Sequence, residues 1–229
     1  RAEIELGSIG GGYEHVLIVL GRDASTTLLE RPGTPTHRIV ETVLEEGASL
    51  VHARLQTAAR STEYHMISTR VSTNAKYKLS AYAQGAALRR NDIYIEAAGG
   101  NSDIEVMGAW RLNEQQHLDT QISVHHTAPG ASSKQTIRGV VDEHGKAVFN
   151  GRIYIAPGAQ NSDAALTTKN LLLSSNSEVF AKPELEIYAN DVKCSHGATI
   201  GELDSDALFY LRSRGIEDPL ARKILISAF

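Results

Sequence analysis

The segment "DVKCSHGATIGELD", Asp191 to Asp204, holds the one cysteine of a 229-residue chain, with a histidine two places after it. If it continues the strand that "LEIYA" opens, Cys194 and His196 share one face and Lys193 and Ser195 take the other, because strand side chains repeat every second residue. A thiolate beside an imidazole can hold zinc or iron, and a thiolate in particular suits an iron–sulfur centre. Two ligands do not close a four-coordinate site, so the others would have to come from a neighbouring coil or a partner chain. Spacing by itself favours the plainer account, a cysteine packed as a small hydrophobe beside a hydrogen-bonded histidine.

Other chemical signals are weaker. His125 and His126 in "SVHHTAPG" point to opposite faces of any strand, so at most one could join a given cluster, and both read as surface histidines beside a turn. "GSIGGGY", Gly7 to Tyr13, lacks the spacing of a dinucleotide fingerprint and reads as a turn. The chain contains no G-x-x-x-x-G-K-[ST], no H-E-x-x-H and no G-x-S-x-G.

The elements that would carry these residues are short strands. Ala2 to Leu6, His15 to Leu20, Ser25 to Leu29, Arg38 to Leu44, Leu50 to Leu55, Tyr64 to Val71, Lys76 to Tyr82 and Ile93 to Ala97 alternate or run apolar between turn residues. "IYIEAAGGNSD" (Ile93 to Asp103) returns as "IYIAPGAQNSD" (Ile153 to Asp163), with a shorter echo, "EIYAND", at Glu186 to Asp191. Such returns mark stacked units and predict a parallel β-solenoid over residues 1–203, with coils of roughly 20–30 residues and with Ile93 and Ile153 at equivalent inward positions.

From Asp204 the period changes to helical. Asp204 or Ser205 caps a first helix carrying Leu208, Phe209 and Leu211, and Gly215 stops it. Asp218 caps a second, with Pro219 at its first position and Leu220, Ile224, Leu225 and Phe229 along one side. Residues 204–229 thus read as the start of a C-terminal helical domain. They either cover the open solenoid end or dock on a partner through Leu220, Ile224 and Leu225.

Composition narrows the classes. A net charge of −4 with both signs interspersed provides no basic field for nucleic acid or an anionic membrane. One cysteine cannot form an internal disulfide, and the longest apolar run, Val16 to Leu20, is far too short to span a bilayer. The expected location is the cytoplasm. The chain opens at Arg1 without a methionine and stops at Phe229 inside an apolar pattern, and reads as a piece of something longer.

"KPELEIYANDVKCSHGATIGELDSDALFYLRSRGI", Lys182 to Ile216, resembles the signature region of the SufB/SufD family of iron–sulfur cluster assembly proteins, and its "VKCSHG" and "FYLRSRGI" resemble the SufD branch of it. Weaker likeness extends through "VLEEGASLVHARLQ" (Val43 to Gln56), "QHLDTQISVHHTAPGASSKQTIRGVV" (Gln116 to Val141) and "GRIYIAPGAQNSDAALTTKNLLLSSNSEV" (Gly151 to Val179). The resemblance implies an all-β, right-handed parallel β-helix with a short C-terminal helical segment, acting as a scaffold and not an enzyme. It implies pairing with SufB through the β-helices, or a homodimer when isolated, and binding of the ABC-type ATPase SufC through the C-terminal helices. It also implies a nascent iron–sulfur cluster or iron held jointly with SufB, to which Cys194 and His196 contribute. Two readings from other classes stand beside it: a β-helix enzyme acting on polysaccharide, and an inert structural solenoid.

Overall fold

The computed structural model describes residues 2–7, 12–31 and 37–229. The glycine-rich turn read at Gly7 to Tyr13 lies largely outside them. Among the described residues the chain runs through fifteen strands, β1 (Ala2–Leu6), β2 (Tyr13–Leu20), β3 (Ser25–Glu30), β4 (His37–Leu44), β5 (Ser49–Gln56), β6 (Thr62–Val71), β7 (Lys76–Gln84), β8 (Leu88–Ala97), β9 (Asp103–Leu112), β10 (His117–His126), β11 (Ser132–Val141), β12 (Lys146–Ile155), β13 (Ser162–Leu172), β14 (Glu178–Ile187) and β15 (Val192–Glu202). Two helices follow, α1 (Ser205–Ser213) and α2 (Asp218–Ala228).

Odd strands form one sheet in the order β1-β3-β5-β7-β9-β11-β13-β15, and even strands a second in the order β14-β12-β10-β8-β6-β4-β2. Every pairing is parallel. The chain therefore winds as a two-sheet solenoid, and the expected architecture holds. The rise per coil grows along it, from 24 residues (Ala2↔Thr26) through 27 (Ser49↔Lys76) and 29 (Leu88↔His117) to 32 (Lys146↔Glu178).

Alternation makes the core. In β10 every second residue, from Leu118 to His126, is buried, and the pattern repeats in β11 and β12. Stacked coils align these residues in columns such as Ile95, Val124 and Ile153, each fully buried. The register corrects one expectation. Ile153 lies in the column of Ile95, whereas Ile93 shares its column with Ile122 and Gly151. Asp103 and Asp163 do occupy one column, through Ser132. Eight positions lead from Ile155 to Asp163, against six from its column mate Ala97 to Asp103, so the repeated words match by turn and slip by one pleat in the strand.

One edge of the solenoid is a backbone ladder. Asp23, Gly47, Asn74, Asn101, Gly130 and Asn161 all have positive φ, between 55° and 71°. All but the last donate the N–H to the carbonyl preceding the turn residue of the next coil, as Gly47 to Thr73, Asn74 to Gly100, Asn101 to Pro129 and Gly130 to Gln160; Asn161 donates to Asp191, just before β15. Only Gly, Asn and Asp enter this left-handed region cheaply, which is why those types recur at every such corner.

The interior is not uniformly apolar. Glu30, Arg38, His52, Arg54, Glu63, His65 and Arg89 are buried inside the first coils. Gln56 and Asn91 exchange a pair of amide hydrogen bonds at 2.9 and 3.1 Å across the two sheets. His126 is also interior, with Nε2 2.8 Å from Ser133 Oγ, while His125 lies outside between Tyr94 and Tyr154. The opposite-face expectation for this pair holds; the surface expectation fails for His126, which is fully buried with Ser133 as its hydrogen-bond partner.

Candidate functional site

β15 is the last strand of its sheet and pairs only with β13, so its far edge has no partner among the described residues. Its register decides where its side chains point. Cys194 continues the column Leu50, Tyr77, Ile104, Ser133, Ala164, and His196 continues Leu28, His52, Leu79, Val106, Gln135, Leu166, all of them buried. Both side chains therefore project from one face, the inward one, as the two-residue spacing predicts. No further coil covers that face among the described residues. His196 is exposed, and Cys194 is half-buried against the core.

The last rung of the other sheet completes a mouth. Leu185 and Ile187 of β14 extend the columns of Ile153 and Ile155, and Ile200 of β15 extends that of Asn170. Ile187 is 39% exposed and Ile200 47%, although their positions are interior ones in the preceding coils. Thiol and imidazole thus stand in an open, largely apolar end. The sequence reading missed this rim; its signal was Pro183, which lacks a ladder N–H and so marks β14 as an edge strand.

The electrostatics favour a protonated thiol. Burial raises the Cys194 pKa and the nearby Asp163 carboxylate adds to it, against a backbone hydrogen bond with Ala164. A metal must displace that proton to gain the sulfur. No group of three or more metal-binding side chains exists among the described residues, so Cys194 and His196 have no third ligand beside them there.

The helices do not close this end. From Ser195 to Glu202 every residue of β15 is exposed, and α1 buries none of its residues. Asp204 caps α1 by accepting from the N–H groups of Asp206 and Ala207 at 2.9 and 3.0 Å, and Gly215 follows its end at φ 84°. Glu217, not Asp218, is the N-cap of α2; Asp218 is its first residue and instead pairs with Arg222 at 2.7 Å. Ala221 is the residue α2 buries, leaving Leu220 53% and Ile224 39% exposed and Leu225 half-buried. The far end of α2 returns to the solenoid wall, where Arg138 of β11 lies over the Phe229 ring at 6.0 Å.

Residues 5–229 match the family model described as SUF system FeS cluster assembly, SufBD core domain. The chain belongs to the SufBD family. It is 34% identical over 210 residues to an iron-sulfur cluster assembly SufBD family protein of Synechocystis sp., covering 90% of this chain and 46% of that one. It is 39% identical over 149 residues to iron-sulfur cluster assembly protein SufD of Escherichia coli (65% and 35% of the two chains), and 33% identical over 196 residues to protein ABCI7, chloroplastic, of Arabidopsis thaliana (85% and 41%). The chain spans less than half the length of these relatives. The solenoid is accordingly a SufBD core domain. No helix of the described residues is long and apolar enough to cross a membrane.

Proposed function

We propose that this SufBD core is a non-catalytic, cytoplasmic scaffold subunit of the SufD type, whose open solenoid end pairs with a SufB-like partner around a nascent cluster. The observation that carries the proposal is the pair of inward columns ending at Cys194 and His196 on an uncovered rung, beside an unpaired strand edge. A partner solenoid docked there would bury the apolar rim of Leu185, Ile187 and Ile200, exclude water, and supply the ligands this chain lacks. The cluster is cargo, assembled and passed on. Held between two subunits, it is released when they shift, and ATP-driven dimerisation of a SufC-like ATPase would provide the movement. In the same reading residues 1–203 are the scaffold domain and residues 204–229 begin the helical domain through which the ATPase pulls. Leu220, Ile224 and Leu225 are its proposed contact.

The test is anaerobic reconstitution of the full-length protein with its SufB-like partner and ATPase, followed by assay of iron and acid-labile sulfide. His196→Ala should lower both without dissociating the complex. Unchanged iron and sulfide would remove His196 from the ligand set.

A further inference from the structure

We propose that the N-terminal coils of the solenoid enclose a binding site for one small inorganic anion of halide size, held by the guanidinium of Arg54. Arg54 lies on β5 with its side chain inside the solenoid, and its relative exposure is 4%. Its Nε reaches Glu30 Oε1 at 3.4 Å, a long contact, and both Nη atoms are buried without an acceptor among the described residues. Arg89 Nη2 is a third such nitrogen. Buried donors of this kind are costly unless something accepts from them.

The carboxylates nearby are already engaged. Glu30 accepts from His52 Nε2 at 2.6 Å and from Arg38 Nη1 at 3.2 Å. Glu63 accepts from Arg89 Nε at 2.7 Å, from His65 Nε2 at 3.2 Å and from Ser61 Oγ at 2.5 Å. Three buried guanidiniums, Arg38, Arg54 and Arg89, thus face two buried carboxylates, Glu30 and Glu63; Glu14, nearer the rim, takes Arg38 Nε at 2.7 Å. Glu14 balances the third guanidinium, but donors remain in excess: Arg54 Nη1 and Nη2 and Arg89 Nη2 have no acceptor among the described residues. Burial pushes the Glu30 carboxyl up, but Arg54, His52 and Arg38 outweigh it and hold the group far below the ordinary range, so it stays an acceptor already spoken for.

A cavity of about 20 Å³ lies against these groups, lined by Glu30, Arg38, Arg54, Gln56, Glu63 and His65 among others. That volume has room for one body of about water or halide size. His65 Nδ1, also unpartnered, joins the donors when its ring is protonated. Thr57 and Ala58, at the corner after β5, line the same cavity.

Two measurements on the full-length protein test the site. Crystals grown in bromide should show an anomalous peak within hydrogen-bond reach of the Arg54 Nη atoms, and the protein should melt a few degrees higher in chloride than in gluconate at equal ionic strength. Arg54→Met should abolish the difference between the two salts. Arg54→Lys, which keeps the charge but not the forked donor pair, should weaken the anion dependence about tenfold without removing it. Should neither variant fold, the bromide map and the wild-type salt comparison still decide. Density for water alone, bromide only at the surface, or equal melting in both salts overturns the proposal.

Discussion

His196 and Cys194 occupy neighbouring columns, yet their substitution should have different consequences. His196 is exposed, so His196→Ala opens no core void and should change stability by less than about 0.5 kcal/mol in a denaturant titration of the isolated chain. A loss above about 2 kcal/mol would identify a core histidine instead. Cys194 packs on the core, and Cys194→Ser should cost on the order of 1 kcal/mol. Because burial and Asp163 raise its pKa, Cys194 should alkylate slowly at neutral pH, and its rate with iodoacetamide should still be rising where a free cysteine in a peptide has levelled off. The interior histidine gives a pH signature of its own. Burial lowers the His126 pKa from 6.5 to about 4. Its neutral form is the folded one, so stability is full above about pH 6.5 and falls as pH drops towards 4, by on the order of 2–3 kcal/mol. His126→Gln should flatten that limb in melts across the range.

At the scale of elements, the corner ladder and α2 make separable predictions. Asn74 sits at φ 57°. Asn74→Ala should destabilise by about 1–2 kcal/mol and Asn74→Gly by little or nothing, measured by chemical denaturation. The exposed side of α2 is tested by Ile224→Asp with Leu225→Asp: co-purification with the ATPase should be lost while the β-sheet circular dichroism is unchanged. Intact binding would remove this stripe from the contact. Element by element, the strands through β7 were legible, β5 included although its inward His52, Arg54 and Gln56 are polar, because its outward Val51, Ala53 and Leu55 alternate with them. β8 begins at Leu88, but its first half, "LRRND", looks like loop because the inward residues are Arg89 and Asn91 and the outward one is Leu88, 44% exposed. Alternation is lost there because the outward Arg90 and Asp92 are polar as well, and the partners that permit the inward pair, Glu63 and Gln56, come from other coils. The same limit hid His126, while Cys194 and His196 were placed on one face by parity alone. Whether that face opened or closed depended on how many coils follow, which parity does not carry.

For the whole molecule, contacts pass from each coil to the next, and the proposed cluster site lies at one end. Asp103 and Ser132 occupy the same column position, as do Leu88, His117 and Lys146. Removing residues 103–131 would join Ser102 to Ser132, lay β7 against β11 and β8 against β12, and leave every contact of β14 and β15 intact. Such a variant should fold, keep its affinity for the SufB-like partner, and be shorter by one strand spacing, about 4.8 Å, in its scattering profile. Loss of partner binding would show that the display depends on more than the final rung. The molecule is in this sense a graduated spacer, whose length can be reset in whole divisions while the instrument at its tip stays the same. Lineages could adjust how far the proposed docking end lies from the opposite end without rebuilding that end.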